Sequence, residues 1–141
     1  MEFVAKGITI DELSNLFECA TYNNNALYFG RAIKKGKAYK SGKYKSDAFA
    51  AHLLAGGDVT FWDLYAEADT LREKHSNNGI RVDKGDGSIE YRINLTDVLD
   101  GFGVALKACP RCLSRFLEGD EDQIDCWCIM QCILFGELIY G

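Results

Sequence analysis

From Ile124 to Tyr140 the chain is apolar nearly all the way round a helical wheel. Such a helix is buried in a core rather than laid on a surface, so other elements must enclose it. At 141 residues the chain has the material to do so; a protein of this length buries roughly two thirds of the surface it exposes when unfolded. One domain over residues 1–141 is therefore expected. Hydrophobic residues make up 48% and charged residues 26%, which excludes a disordered tail, a collagen-like fibre and a coiled-coil rod. The most apolar stretch, Trp127 to Phe135, is broken by Gln131 and falls well below the ~20 residues that span a bilayer. Met1 to Asp11 lacks a basic region followed by an unbroken apolar run, so no secretory signal is read there. The expectation is a cytoplasmic protein whose thiols stay reduced, with no membrane partner.

Elsewhere the hydrophobic period changes twice along the chain. Thr9-Ile-Asp-Glu12 is a capping box, and Ile10, Leu13, Leu16 and Phe17 follow at helical spacing. After Asn23-Asn24-Asn25, a second helix is predicted from Ala26 to Ile33. A third opens at Ser46-Asp47, carries Phe49, His52, Leu53 and Leu54, and stops at Gly56-Gly57. Asp58 to Tyr65 then alternates as a strand does. Ile80–Asp83 and Ile89–Leu95 flank Lys84-Gly-Asp-Gly87, the composition of a tight hairpin. Ala66 to Asn78 is polar, a short helix or an excursion. Thr96 with Asp97 and Asp100 opens a further helix or helix pair through Leu117, and Gly119-Asp-Glu-Asp122 separates it from the apolar one. The fold class is α+β: N-terminal helices, a small antiparallel sheet with a hairpin, and C-terminal helices packed on one face. Leu13, Phe17, Leu53, Phe61, Ile89, Leu99, Trp127, Met130 and Leu134 are the expected core.

The charge is unevenly spread. Residues 31–45 hold seven basic groups and no acid, residues 1–30 sum to -3 and residues 46–141 to -9, giving the formal -5. An acidic chain is no generic nucleic-acid binder, but a cationic segment on an anionic body is a candidate contact. Lys34, Lys35, Lys37, Lys40, Lys43 and Lys45 would supply charge, and Tyr39 and Tyr44 apolar area for stacking. An acidic protein surface would fit equally well, and lysines carry no sequence code. The bland alternative is a solvated connection folded against the chain's own carboxylates.

The cysteines offer a second chemistry. Cys109-Pro-Arg-Cys112 is followed by Cys126, Cys128 and Cys132. On helices, positions 109 and 112 share a face, as do 128 and 132. Two facing helices would bring four sulfurs together for zinc, with Cys126 pointing elsewhere. The competing reading is that these are core residues, since cysteine packs as a small hydrophobe. No cofactor is expected under that reading. Cys19 with His52 or His75 pairs a nucleophile with a base on paper, although His52 sits among apolar neighbours. Gly101-Phe-Gly103 lacks the third glycine of a dinucleotide loop. Glu118, Asp120, Glu121, Asp122 and Asp125 form an acidic turn. It could hold a divalent cation, though its spacing is not that of an EF-hand, or mimic the phosphates of DNA toward a nuclease and so offer a second contact surface. The bland alternative is a solvated turn with helix-capping acids.

Cys132-Ile-Leu-Phe-Gly-Glu-Leu-Ile-Tyr-Gly141, after a strand that leads into Thr96-Asp-Val-Leu, and Ala51-His-Leu-Leu-Ala-Gly-Gly-Asp-Val59 resemble small accessory proteins of phages and conjugative elements of gut bacteria. The resemblance covers about the last two thirds of the chain, and the cysteine set departs from it. It implies a stoichiometric inhibitor of host defence, of the anti-CRISPR or anti-restriction kind, acting without turnover on a protein or nucleoprotein. It carries over no catalytic residue. The alternative from another class is a zinc-stabilised structural or interaction domain.

Overall fold

The computed structural model describes residues 7–22, 27–33, 45–63, 80–83 and 89–138. Helix α1 (Ile10–Thr21) starts as its capping box directs: the Glu12 amide donates to Thr9 Oγ1 at 3.1 Å, and the Thr9 amide to Glu12 Oε1 at 3.0 Å. It buries Leu13, Leu16 and Phe17, and leaves Ile10 exposed. Helix α2 (Lys45–Leu54) packs against α1, and Ser14 ties the two together by donating to Asp47 Oδ1 at 2.6 Å beside the Ser46 hydroxyl.

Four antiparallel strands form one sheet, ordered β1 (Leu27–Ile33), β2 (Asp58–Asp63), β4 (Ile89–Ile93), β3 (Ile80–Asp83). The segment from Leu27 to Ile33 is thus a strand and not the helix its composition suggested. Its residues alternate, Leu27 buried and Tyr28 exposed, and pairing with β2 decides the matter where local propensity does not. Gly30 permits that pairing: a Cβ there would stand 2.1 Å from Thr60 Oγ1 and 2.8 Å from its carbonyl oxygen. The ladder is irregular between Phe29 and Ala32. The expected pair of strands is present as β3 and β4, but the second ends at Ile93 and not at Leu95, which is already helical; Ala66 to Asn78 and the Lys84–Gly87 turn lie outside the described residues.

The helix predicted at Thr96 begins earlier. Asn94 caps α3 (Leu95–Ala108), accepting from the Asp97 amide at 3.0 Å, while Asp97 accepts from the Asn94 amide at 2.9 Å. Pro110 then opens α4 (Pro110–Glu118), which ends on Gly119 at φ 77°. Asp122 caps α5 (Gln123–Phe135), and Gly136, also at φ 77°, ends it short of the predicted Tyr140. Glycine accepts this left-handed conformation without steric cost.

Helices α1, α3 and α4 all pack on α5, and every residue from Ile129 to Phe135 is buried. Gly101 lets α3 lie close against α5: a Cβ would meet Ile133 Cα at 2.5 Å. Phe17, Phe29, Phe49 and Phe61 join α1, α2 and the sheet, with ring centroids 5.0 to 5.6 Å apart. Tyr91 meets Phe135 at 5.2 Å and attaches β4 to α5. Each such ring or leucine contributes about 1.5–3 kcal/mol on full burial. Of the expected core, Leu13, Phe17, Leu53, Phe61, Met130 and Leu134 are buried; Leu99 and Trp127 are only half-buried, and the Ile89 side chain lies outside the described residues.

Candidate functional site

Two of the sequence-derived sites fall differently on this frame. Of the basic set, Lys34, Lys35, Lys37, Tyr39, Lys40, Lys43 and Tyr44 lie outside the described residues. Lys45 is exposed at the start of α2. The segment's two ends are nevertheless fixed. Its upstream end leaves β1, which occupies an edge of the sheet, and its downstream end enters the turn of α2 that Ser14 holds through Ser46 and Asp47.

Of the four cysteines whose spacing suggested a shared site, the structure brings Cys109 and Cys132 into contact. Cys109 caps α4 through its backbone alone, its thiol making no hydrogen bond to the helix start, and Cys112 follows one turn later. Cys128 and Cys132 are a turn apart on α5. Cys109 Sγ stands 3.9 Å from Cys132 Sγ. Cys112 lies within electrostatic reach of Cys109, Cys128 and Asp125. Cys109 and Cys132 are buried, Cys112 and Cys128 half-buried, and no disulfide links any of the six cysteines. Burial pushes the Cys109 and Cys112 thiols up to about 12 and Cys132 to about 11; Cys128 rises for the same reason. As protonated thiols these groups are poor nucleophiles. Among the described residues, no three His, Cys, Asp or Glu side chains are already arranged to hold a metal ion.

Asp125 also pairs with Arg115, a contact that no reading of the acidic turn foresaw. Its carboxylate accepts from the Arg115 guanidinium at 2.9 Å and from the Asp122 amide at 3.1 Å. Burial favours its neutral form, but the Asp122 amide, the Cys112 thiol and Arg115 outweigh that and hold its pKa below the usual value. The acidic turn is therefore at least partly a capping device. Signals for it were present in Asp122-x-x-Asp125, the same three-residue offset as Thr9 and Glu12.

Cys19 lies on α1 against the Cys126 thiol, each raising its pKa chiefly by burial. Cys126 thus points away from the other four sulfurs, as expected. His52 is wholly buried on α2, its ring close under Gly57, and His75 lies outside the described residues. Gly101-Phe-Gly103 is interior to α3. An open cleft of about 340 Å³ is lined by Asn15, Glu18, Cys19, Tyr22, Glu121 and Gln123, and the Gln123 side-chain amide donates to the Tyr22 carbonyl. No described helix is long and apolar enough to cross a membrane.

Fold and site together define an α+β domain with a thiol cluster where its last three helices meet. Comparison with protein-family models, with curated proteins and with solved structures finds no match to this chain.

Proposed function

We propose that the protein is a stoichiometric binder whose contact surface is the cationic segment from Arg31 to Lys45. The observation that carries this reading is the charge partition: seven basic groups and no acid there, against -9 over residues 46–141. The flanks support it as well. An edge strand on one side and a helix start fixed by buried serines on the other give the segment firm attachments, and anchoring lowers the ordering cost a partner must meet. Lys34, Lys35, Lys37, Lys40, Lys43 and Lys45 steer an anionic partner, and Tyr39 and Tyr44 add contact area. Such steering accelerates association and is suppressed by salt. The resemblance to accessory proteins of phages and conjugative elements directs the first trial to a host-defence nuclease or its nucleoprotein complex in the cytoplasm, inhibited without turnover.

The experiment is a binding measurement against a host nuclease, alone and loaded with its nucleic acid, for the native chain and for Lys34→Glu, Lys37→Glu, Lys40→Glu combined. The native chain should bind and inhibit in one-to-one proportion, and the reversed chain should lose at least tenfold in affinity while its circular dichroism and melting are unchanged. Equal affinity in the folded, reversed chain overturns the segment's role. Catalytic destruction of the target by the native chain overturns binding without turnover.

A further inference from the structure

The binding reading makes no use of the thiols between α4 and α5. Cys109 and Cys132 are 23 residues apart in the chain, and the fold sets their sulfurs in contact at 3.9 Å. A disulfide needs about 2.05 Å, so bond formation asks the two sulfurs to close by roughly 2 Å. Cys109 has the freedom to do this. It ends α3 and begins α4 on a backbone that is not helical, at φ -147° and ψ 65°, and its thiol makes no hydrogen bond to the helix start. Rotation about its Cα–Cβ bond swings the sulfur without unwinding either helix. Cys132 is held inside α5 with no exposed surface, whereas Cys109 keeps 8% of its own. We propose that Cys109 and Cys132 are a redox-active pair that a small hydroperoxide converts to a disulfide, a covalent clamp between the start of α4 and α5.

Access orders the chemistry. The Cys109 sulfur attacks one peroxide oxygen: an S–O bond forms, the O–O bond breaks, and the departing hydroxide takes the thiol proton away as water. The Cys132 sulfur then attacks the Cys109 sulfur. The S–S bond forms, the S–O bond breaks, and hydroxide leaves with the Cys132 proton as a second water. The two thiols lose two electrons in all, and one hydrogen peroxide is reduced to two waters. Burial pushes the Cys109 thiol up to about 12, so near neutrality it is protonated and the first step is slow. The pair therefore answers sustained oxidant and stays reduced through brief exposure. Once formed, the bond closes a loop over α4 and most of α5 and restricts the unfolded chain. Plain core packing of thiols accounts for the 3.9 Å contact too, but it gives no cross-link.

The test exposes the whole chain, freed of reductant, to graded hydrogen peroxide for hours, followed by non-reducing peptide mapping by mass spectrometry. The map should show Cys109 joined to Cys132, two hydrogens lighter than the separate thiols, and dithiothreitol should reverse the link. The melting temperature should rise by about 5 °C or more on oxidation and fall back on reduction. Cys109→Ser should lose both the cross-link and the rise, whereas Cys19→Ser should keep both. A map in which Cys109 is joined to Cys112, or carries a sulfinic or sulfonic acid with no partner, overturns the pairing. So does a chain whose Cys109 and Cys132 stay unlinked at every dose. A cross-linked chain that melts no higher than the reduced one overturns the clamp, as does Cys109→Ser that gains the same rise. If that variant does not fold, the wild-type map and melting decide.

Discussion

Gly101 shows how much of this fold rests on single atoms. At the α3–α5 crossing a methyl group would stand 2.4 Å from Ile133 Cγ1 and 2.5 Å from its Cα, and the second of these is backbone that no rotamer change can move. Gly101→Ala should therefore destabilise by about 1–3 kcal/mol despite its better helix propensity, since overpacking outweighs that gain; chemical denaturation would read the loss. Asp125 is the electrostatic counterpart. Its lowered pKa means the folded state binds a proton less tightly than the unfolded state, so its contribution is complete above the ordinary carboxylate value of 3.8 and is lost as pH falls through the folded value. Asp125→Asn should cost about 1–2 kcal/mol near neutrality, through the cap and the half-exposed Arg115 pair. The penalty should begin to shrink as pH falls below about 4, where the unfolded carboxyl takes up its proton, and fade further as pH passes down through the lower folded value. A cost that stays constant down to pH 2 would show that shape, not charge, is what Asp125 supplies.

Among the elements, three-residue offsets were the most legible signal. Thr9 with Glu12 forms the box the sequence announces, because a capping box needs only neighbouring residues. Asn94 with Asp97 went unread in favour of Thr96, since several polar residues there compete for the same role. Strand β1 was illegible for a different reason. Leu27, Tyr28 and Phe29 are consecutive apolar residues with no local sign of period two, and only the partner strand separates the faces. Gly30, inside the span predicted as helix, is a clearance between strands. Gly30→Val should accordingly detach β1 from β2, with a loss above about 1 kcal/mol and faster amide exchange confined to Leu27–Ile33 and its β2 partners. The cysteine geometry lies between these cases. Helical spacing gave each pair its face, but that α4 and α5 turn those faces toward each other follows from Gly119 and Asp122 shaping the connection, which no spacing rule encodes.

At the scale of the whole molecule, charge sets the terms of the binding proposal. Replacing the six lysines of the segment by glutamine takes the formal net charge from -5 to -11. Two arrangements respond to this in opposite ways. If the ammonium groups are engaged with the chain's own carboxylates, their loss leaves mutually repelling acids, so the melting temperature drops in dilute buffer and recovers as salt screens the repulsion over about 10 Å. If they face outward to a partner, the fold has little to lose, because exposed pairs contribute about 0–1 kcal/mol each. The binding reading requires the second behaviour: melting of the neutralised chain within a few degrees of the native one at low salt, together with slower partner association. The salt dependence of the association rate should flatten in the same variant, since steering needs the cations while short-range contacts do not. A steep, salt-reversible loss of stability would mean that the segment completes the protein's own electrostatics, and the surface would then have no charge to spare for anything else.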